Sequence, residues 1–179
     1  SCNAWLYNVT RSTQRSNWQK IMESIWTNHG PYNMMCLWEG NVAEQVLDDG
    51  YHGSTGYQLF FRNRIHGVHP SGYTDNREMI SICRGSYYYS CVGNILGDSS
   101  WNPNGYKMTG VQGYGNSNIY RLGYPNGWNN DLTSGNWLQY GLTYPDAKVE
   151  STLVRHANWD NFNDAVVWSD ADHTIADSL

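Results

Sequence analysis

The sequence has few charged residues and no long apolar run. Charged side chains make up 15% of its 179 residues, against about a quarter in typical soluble domains. Only three of the 11 basic residues are Lys, and the formal net charge is −5. This composition excludes a coiled coil, a charged disordered tail and a protein that holds nucleic acid by bulk positive charge. Because about 18 consecutive apolar residues are needed to cross a bilayer, no membrane span is expected.

Asparagine, glycine and large aromatic residues take the place of the missing charges. The chain contains 20 Asn, 18 Gly, 14 Tyr and 9 Trp, and its hydrophobic fraction of 40% is enough to form a core. A length of 179 residues predicts a single domain over 1–179. Turn signals without regular periodicity mark 98–137 as an irregular insertion in that domain.

The cysteines favour an extracellular protein rather than a metal-binding one. Four Cys at positions 2, 36, 83 and 91 allow three pairings, and no CxxC or Cys/His cluster has zinc-site spacing. Cys83 and Cys91 are close enough in sequence for a local disulfide, whereas Cys36 lies in an apolar run and is expected to be a buried thiol. The sequence starts at Ser1 without a charged n-region and an apolar h-region, so we expect any signal peptide to have been removed. With the low Lys content, these features predict a secreted protein.

The N-terminal region predicts a strand, a helix and a second strand. Residues 2–9 and 34–38 have strand character, and Gly30 followed by Pro31 is a helix stop signal. A strand–helix–strand unit of this length joins two parallel strands. The helix is predicted from apolar residues at i, i+3, i+4, i+7 and i+8, which are Trp18, Ile21, Met22, Ile25 and Trp26.

Further along the chain, residues 57–61 and 78–83 are strand candidates, and 148–155 alternates well enough for another strand. Residues 163–179 are expected to form a closing helix. The sequence as a whole therefore predicts an α/β domain with at least one parallel pair of strands.

Two polar residues follow predicted strands, where a parallel sheet gathers ligand-binding side chains. Glu39 ends the second strand and is a candidate metal ligand, and His156 ends the strand over 148–155 and is a candidate acid/base group. The alternative is an exposed Glu and a His bonded to the backbone. Asp172 and His173 are a second candidate catalytic pair, although the acidic segment around them is also typical of a solvated surface.

The aromatic residues of 101–137 suggest a recognition surface. Flat rings stack on sugar rings while amides bond hydroxyl groups, so Trp101, Trp128 and Trp137 are candidates for binding glycans or a partner subunit. The alternative is a loop that its aromatic side chains hold in place.

Several motifs follow one another in a fixed order along the chain. They are Trp5, Trp18 and Trp38-Glu39-Gly40, the aromatic strand 59–64, the strand 76–84, and Val154-Arg155-His156-Ala157 followed by Asn163-Asp164-Ala165. In this order they resemble the deoxyribonuclease I-like family, in particular its branch of catalytic B subunits of cytolethal distending toxins. The resemblance covers about 1–97 and 138–167, without a counterpart of the family's C-terminal third, so the chain would be a fragment or a shortened homologue.

This resemblance implies a two-sheet sandwich flanked by helices and a secreted, toxin-like, Mg²⁺-dependent phosphodiesterase that cleaves DNA. Glu39, with Asn8, would hold Mg²⁺, and His156 would transfer protons. Arg64, Arg77 and Arg84 would bind phosphate. Alternatives are a secreted glycan-binding module and an inactive homologue kept for assembly with toxin binding subunits.

Overall fold

The computed structural model describes residues 3–11, 24–28, 33–48, 53–69, 77–108, 117–124 and 145–175. These residues contain both strands and helix, as the α/β prediction requires, but strands dominate. The elements in chain order are β1 (Ala4–Leu6), β2 (Ile25–Asn28), β3 (Leu37–Glu39), β4 (Val42–Ala43), β5 (Val46–Asp48), β6 (Leu59–Phe61), β7 (Arg64–Ile65), β8 (Ile80–Cys83), β9 (Ser90–Val92), β10 (Ile95–Leu96), β11 (Gly105–Met108), β12 (Asn118–Tyr124), α1 (Ala147–Ser151), β13 (Val154–His156), β14 (Asn158–Asp160) and β15 (Ala165–Val167).

The strands form three sheets that wind around a common core as a parallel β-solenoid. Sheet 1 has the order β1-β3-β6-β9-β13, sheet 2 has β15-β14-β10-β7-β4, and sheet 3 has β11-β12-β8-β5-β2. The chain visits the sheets in turn, so β3, β4 and β5 form one rung and β6, β7 and β8 form the next. Each strand pairs in parallel with its counterpart one rung away, except that β15 runs antiparallel to β14.

A ladder of five asparagines fixes the turn between sheets 1 and 2. The backbone and side-chain amides of Asn41 both donate to Oδ1 of Asn63, at 2.9 Å. The backbone and side-chain amides of Asn63 donate in the same way to Oδ1 of Asn94, at 2.9 and 3.0 Å. The side-chain amides of Asn41, Asn63, Asn94 and Asn158 also donate to a carbonyl of the previous rung, as Asn63 does to Trp38 at 2.8 Å. The full ladder is Asn8, Asn41, Asn63, Asn94 and Asn158.

The core consists of apolar side chains stacked from rung to rung. The rings of Trp5 and Trp38 stack with their centroids 5.7 Å apart. Trp38 stacks in turn on Phe60 at 5.9 Å, and Phe60 on Tyr89 at 6.3 Å. Because parallel strands place equivalent side chains about 4.8 Å apart, a column of rings stabilises the coil without a conventional two-layer core.

The predicted parallel pairing at the N-terminus is confirmed, since β1 pairs with β3 from Ala4↔Leu37 to Leu6↔Glu39. The helix predicted between them is wrong at its C-terminal end, where Ile25 and Trp26 lie in β2. Ile25 is buried and Trp26 is exposed, as neighbouring strand residues on opposite faces are, and β2 pairs with β5. The rest of that helix lies outside the described residues.

Two other secondary-structure predictions are corrected. The segment 148–155 is not one strand, because the Asp146 side chain accepts a hydrogen bond from Lys148 N and caps the short helix α1 before β13 begins. The closing helix over 163–179 is wrong where it is described, because β15 pairs with β14 there. The 98–137 insertion is also partly regular, since it contains β11 and β12.

The cysteine prediction is confirmed in one part and wrong in another. Cys36 is a buried free thiol, as expected. Cys83 and Cys91 are also free, because Cys83 lies in sheet 3 and Cys91 in sheet 1. Burial raises the pKa of the Cys91 thiol to about 12, which makes this thiol unreactive near neutral pH.

The described sheets coil around one core instead of packing as two layers, so the deoxyribonuclease I-like sandwich is not confirmed.

Over the same described ranges, no helix is long and apolar enough to cross a membrane.

Candidate functional site

The predicted metal ligands lie in different structural environments. Glu39 ends β3, as predicted, and its Oε1 accepts a hydrogen bond from the Tyr7 hydroxyl at 3.3 Å. Asn8 is the first member of the asparagine ladder and donates its side-chain amide to Asn41 Oδ1 at 3.0 Å. Among the residues that the structure describes, no three His, Cys, Asp or Glu side chains are grouped to hold a metal ion.

Glu39 and His156 occupy the same register position of sheet 1 but different rungs. Glu39 pairs with Phe61, Phe61 with Val92, and Val92 with His156. Three rungs at about 4.8 Å each separate their backbones by about 14 Å. At this backbone separation the two side chains do not contact each other, and the His156 ring is bonded to Ser169 and Thr174 instead.

His156 holds the C-terminal segment against sheet 1. Its Nδ1 lies 2.9 Å from Ser169 Oγ, and its Nε2 lies 2.9 Å from the Thr174 carbonyl oxygen. The Trp168 ring meets the His156 ring edge-on at 5.2 Å and stacks on His173 at 4.4 Å. The structure therefore brings the two predicted catalytic histidines together, with a tryptophan ring contacting both.

Asp172, the remaining member of that predicted catalytic set, is exposed. Its backbone amide donates to Asp170 Oδ1 at 2.9 Å. This contact is a local turn within an acidic segment.

The three predicted phosphate-binding arginines do not converge on one site. Arg64 extends from β7 and pairs with Asp98 at 2.7 Å. Arg77 is buried and lies over the Trp101 ring at 6.0 Å. Arg84 is buried just after β8.

Trp101 packs in the core instead of forming a recognition surface. Its exposed fraction is 6%, and a side chain at Gly67 would contact its ring. Trp128 and Trp137 lie outside the described residues.

Among the described residues, a stacked and half-exposed pair of tyrosines lies at the turn from sheet 3 into sheet 1. Met35, Tyr57 and Tyr88 occupy equivalent positions of three successive rungs, which we call the aromatic corner. The Tyr57 and Tyr88 rings stack with their centroids 4.9 Å apart and their planes 14° apart. Tyr57 is 51% exposed and Tyr88 45% exposed. Within the described part of the chain, neither hydroxyl makes a hydrogen bond.

The backbone of the aromatic corner adopts a conformation that favours glycine. The φ angles are +58° at Met35, +53° at Tyr57 and +62° at Tyr88. Each left-handed residue of this kind costs about 1–2 kcal/mol relative to the right-handed region. At the opposite end of the sheet 1 strands, a left-handed residue precedes each of the five ladder asparagines. Two of these five residues are glycines, Gly40 and Gly93. At the aromatic corner, the chain instead keeps large side chains.

Helix α1 lies beside the aromatic corner and adds polar groups. The Thr152 hydroxyl accepts a hydrogen bond from Tyr88 N at 3.2 Å. Asp146 Oδ2 accepts hydrogen bonds from the Tyr87 hydroxyl at 2.8 Å and from Gly85 N at 2.9 Å. Burial, together with Asp146, raises the pKa of Tyr87 to about 12. Lys148 places its Nζ 4.4 Å from the centroid of the Tyr87 ring.

No family model, curated protein or solved structure matches this chain.

Sequence reasoning missed the aromatic corner, although a signal for it exists. Met35, Tyr57 and Tyr88 each lie six residues before a ladder asparagine. Tyr57 is the first residue of a strand candidate, and Tyr88 lies within three consecutive tyrosines at 87–89, so neither position stands out locally. Aligning the chain on its ladder asparagines would have placed the three side chains in one column.

Proposed function

We propose that this protein is a secreted glycan-binding module that holds a sugar chain at the aromatic corner. The observation that carries the proposal is the stacked, half-exposed pair of Tyr57 and Tyr88. Both residues have a left-handed backbone, whose conformational free-energy cost would be lower for glycine.

The exposed tyrosines have the chemistry that sugar recognition requires. A tyrosine ring has an apolar body and a hydroxyl that donates and accepts hydrogen bonds. A pyranose ring likewise has apolar C–H faces and a rim of hydroxyls. Because the two rings stack on each other, they present their free edges, both hydroxyls and one outer ring face to a ligand.

The solenoid gives this binding surface a length that suits a polymer. Stacked rungs repeat equivalent positions along one axis, which creates extended surfaces. The column runs from Met35 through Tyr57 and Tyr88 to Thr152, whose hydroxyl is close to the Tyr88 backbone. An extended glycan lying along this column would contact an apolar side chain, two phenols and a hydroxyl in order.

Packing alone accounts poorly for the aromatic corner. A ring that serves only the core is buried, as Tyr89 beside Tyr88 and Phe60 in β6 are. Tyr57 and Tyr88 are about half exposed, so each ring gains only part of the burial energy of a core ring, and their stacking adds on the order of 0.5–1.5 kcal/mol. The cost of the left-handed backbone opposes this gain, so packing favours these two tyrosines less than it favours a buried ring.

The metal-dependent nuclease and its deoxyribonuclease I-like fold stay predictions with less geometric support. Glu39 and His156 are three rungs apart, and the candidate arginines are dispersed. The direct test is plasmid nicking with and without Mg²⁺, comparing the wild type with Glu39→Gln. Mg²⁺-dependent nicking that Glu39→Gln abolishes would restore the nuclease proposal.

The glycan-binding proposal is tested with glycine variants at the aromatic corner. Tyr57→Gly and Tyr88→Gly remove the rings but suit the left-handed backbone, so the free energy of unfolding should change by less than about 1 kcal/mol. A glycan array identifies ligands of the wild type, and titration calorimetry then measures their affinity for each variant. We expect the affinity to fall at least tenfold in each variant, with a larger loss in the double variant.

Tyr7→Gly is the matched control. Tyr7 is also an exposed tyrosine with positive φ, at +54°, but it lies at the other end of the sheet 1 strands. Its removal should leave glycan affinity unchanged. The proposal is refuted if no glycan binds the wild type, or if the corner variants bind as well as Tyr7→Gly does.

A further inference from the structure

We infer that the glycan held at the aromatic corner is acidic, and that Lys148 pairs with the carboxylate of a uronic acid residue. This inference rests on the proposed function and names the ligand class of the same site.

Lys148 is an exposed cation fixed beside the tyrosines. Its ammonium group lies over the Tyr87 ring at 4.4 Å, a cation–π contact that orients the side chain. The Tyr87 ring meets Tyr88 edge-on at 6.4 Å, and Tyr88 stacks on Tyr57 at 4.9 Å. The positive charge is therefore one ring away from the stacked pair.

The nearby carboxylates are engaged with other groups. Glu150 binds Lys107 at 2.7 Å and Arg155 at 3.3 Å, and the hydrogen bond from Lys107 is the main cause of its lowered pKa. Asp146 is buried and accepts hydrogen bonds from Tyr87, Gly85 N and Lys148 N. Among the described residues, no carboxylate lies within ion-pairing distance of the Lys148 ammonium group.

The local charge balance differs in sign from that of the whole chain. Among the described residues, α1 with its N-cap and its ion-pair partners carries three cations (Lys107, Lys148 and Arg155) and two carboxylates (Asp146 and Glu150), whereas the chain carries a formal charge of −5. Since Glu150 is shared by Lys107 and Arg155, Lys148 is the cation left for an anionic ligand. An exposed ammonium group beside a stacking platform fits a sugar ring that carries a carboxylate.

The test compares each acidic polysaccharide with its carboxyl-reduced form, in which the same backbone carries a primary alcohol. We expect the wild type to bind the acidic form about five-fold more tightly, the scale of one partly exposed ion pair. Raising the salt concentration should reduce this preference. Lys148→Gln should bind both forms alike, while Lys107→Gln, which removes an exposed lysine already paired with Glu150, should keep the preference.

The outcomes separate this inference from the proposed function. Equal binding of acidic and reduced forms by the wild type, with binding still dependent on Tyr57 and Tyr88, refutes the acidic ligand and leaves the glycan site standing. A preference that survives in Lys148→Gln refutes the role of Lys148. Absence of binding to any glycan refutes both proposals.

Discussion

At the scale of single residues, asparagine explains the fold better than any apolar residue does. An Asn side chain carries one acceptor and two donors, so it can bond to both neighbouring rungs at once. Asn63 uses all of these: its Oδ1 accepts from Asn41, and its Nδ2 donates to Asn94 and to the Trp38 carbonyl. The abundance of Asn was visible in the sequence, but its role was not, because composition does not reveal which side chains stack.

Replacing a central ladder residue should therefore destabilise the protein strongly. Asn63→Ala leaves the Asn41 amide and the Trp38 carbonyl without their partner in a buried position, a loss of about 2–5 kcal/mol in the free energy of unfolding. Urea denaturation measures this loss. Asn102→Ala is the control, because Asn102 is exposed, and it should change stability by less than about 0.5 kcal/mol. Equal midpoints for the two variants would contradict the ladder.

His66 makes the stability of the protein depend on pH. Burial is the main cause that lowers its pKa below 6.5, with Arg64 acting in the same direction and Glu44 opposing it. Because the unfolded chain binds this proton more readily, the contribution is fully present above about pH 6.5 and is lost as pH falls toward the folded-state pKa. NMR titration should give a pKa below 6.5, and His66→Gln should flatten the stability profile in this range.

Two charge variants check the cause of that shift. Arg64→Gln should raise the pKa of His66, and Glu44→Gln should lower it further. A shift of the same sign in both variants would show that these charges do not act on His66 as described.

At the scale of elements, the motifs singled out in the sequence are copies of one structural unit. Trp38-Glu39-Gly40-Asn41 and Arg155-His156-Ala157-Asn158 each end a strand of sheet 1, turn through a left-handed residue and reach a ladder asparagine. The strand ends at Glu39 and His156 were therefore predicted correctly. Their interpretation as one catalytic centre came from the resemblance to the deoxyribonuclease I-like fold. The sequence shows no fixed repeat length, because successive ladder asparagines are separated by 33, 22, 31 and 64 residues.

The segment 24–28 shows the limit of periodicity. Ile25 and Trp26 satisfied a helical pattern together with Trp18, Ile21 and Met22, yet both lie in β2. Pairing with β5, which is distant in sequence, determines their conformation, and a local pattern carries no information about it.

The two side chains of β2 should respond oppositely to substitution. Ile25 is 6% exposed and faces the core, so Ile25→Ala should cost about 2–5 kcal/mol. Trp26 is 38% exposed on the other face, so Trp26→Thr, which keeps strand propensity, should cost less than about 1 kcal/mol. Chemical denaturation of both variants measures the difference. A helix over this segment would bury both side chains, and comparable losses would favour it.

At the scale of the whole molecule, parallel pairing was predictable and the coil was not. A strand–crossover–strand pattern is common to layered α/β folds and to solenoids, and only the contacts between distant rungs distinguish them. Tyr57 and Tyr88 are 31 residues apart in sequence, but one rung apart in space. The candidate binding surface therefore depends on the stacking of rungs, and no local motif encodes it.

Chemical-shift mapping of the whole chain with the tightest ligand from the glycan array shows whether the aromatic corner is the binding site. We expect perturbed amides at Met35, Tyr57 and Tyr88, with further changes at Lys148 and Thr152 in and after α1. The amides of His156, Trp168 and His173 should stay unchanged. Perturbations centred on those three residues, or on Glu39 and Arg64, with an unaffected aromatic corner would refute a glycan site at that corner.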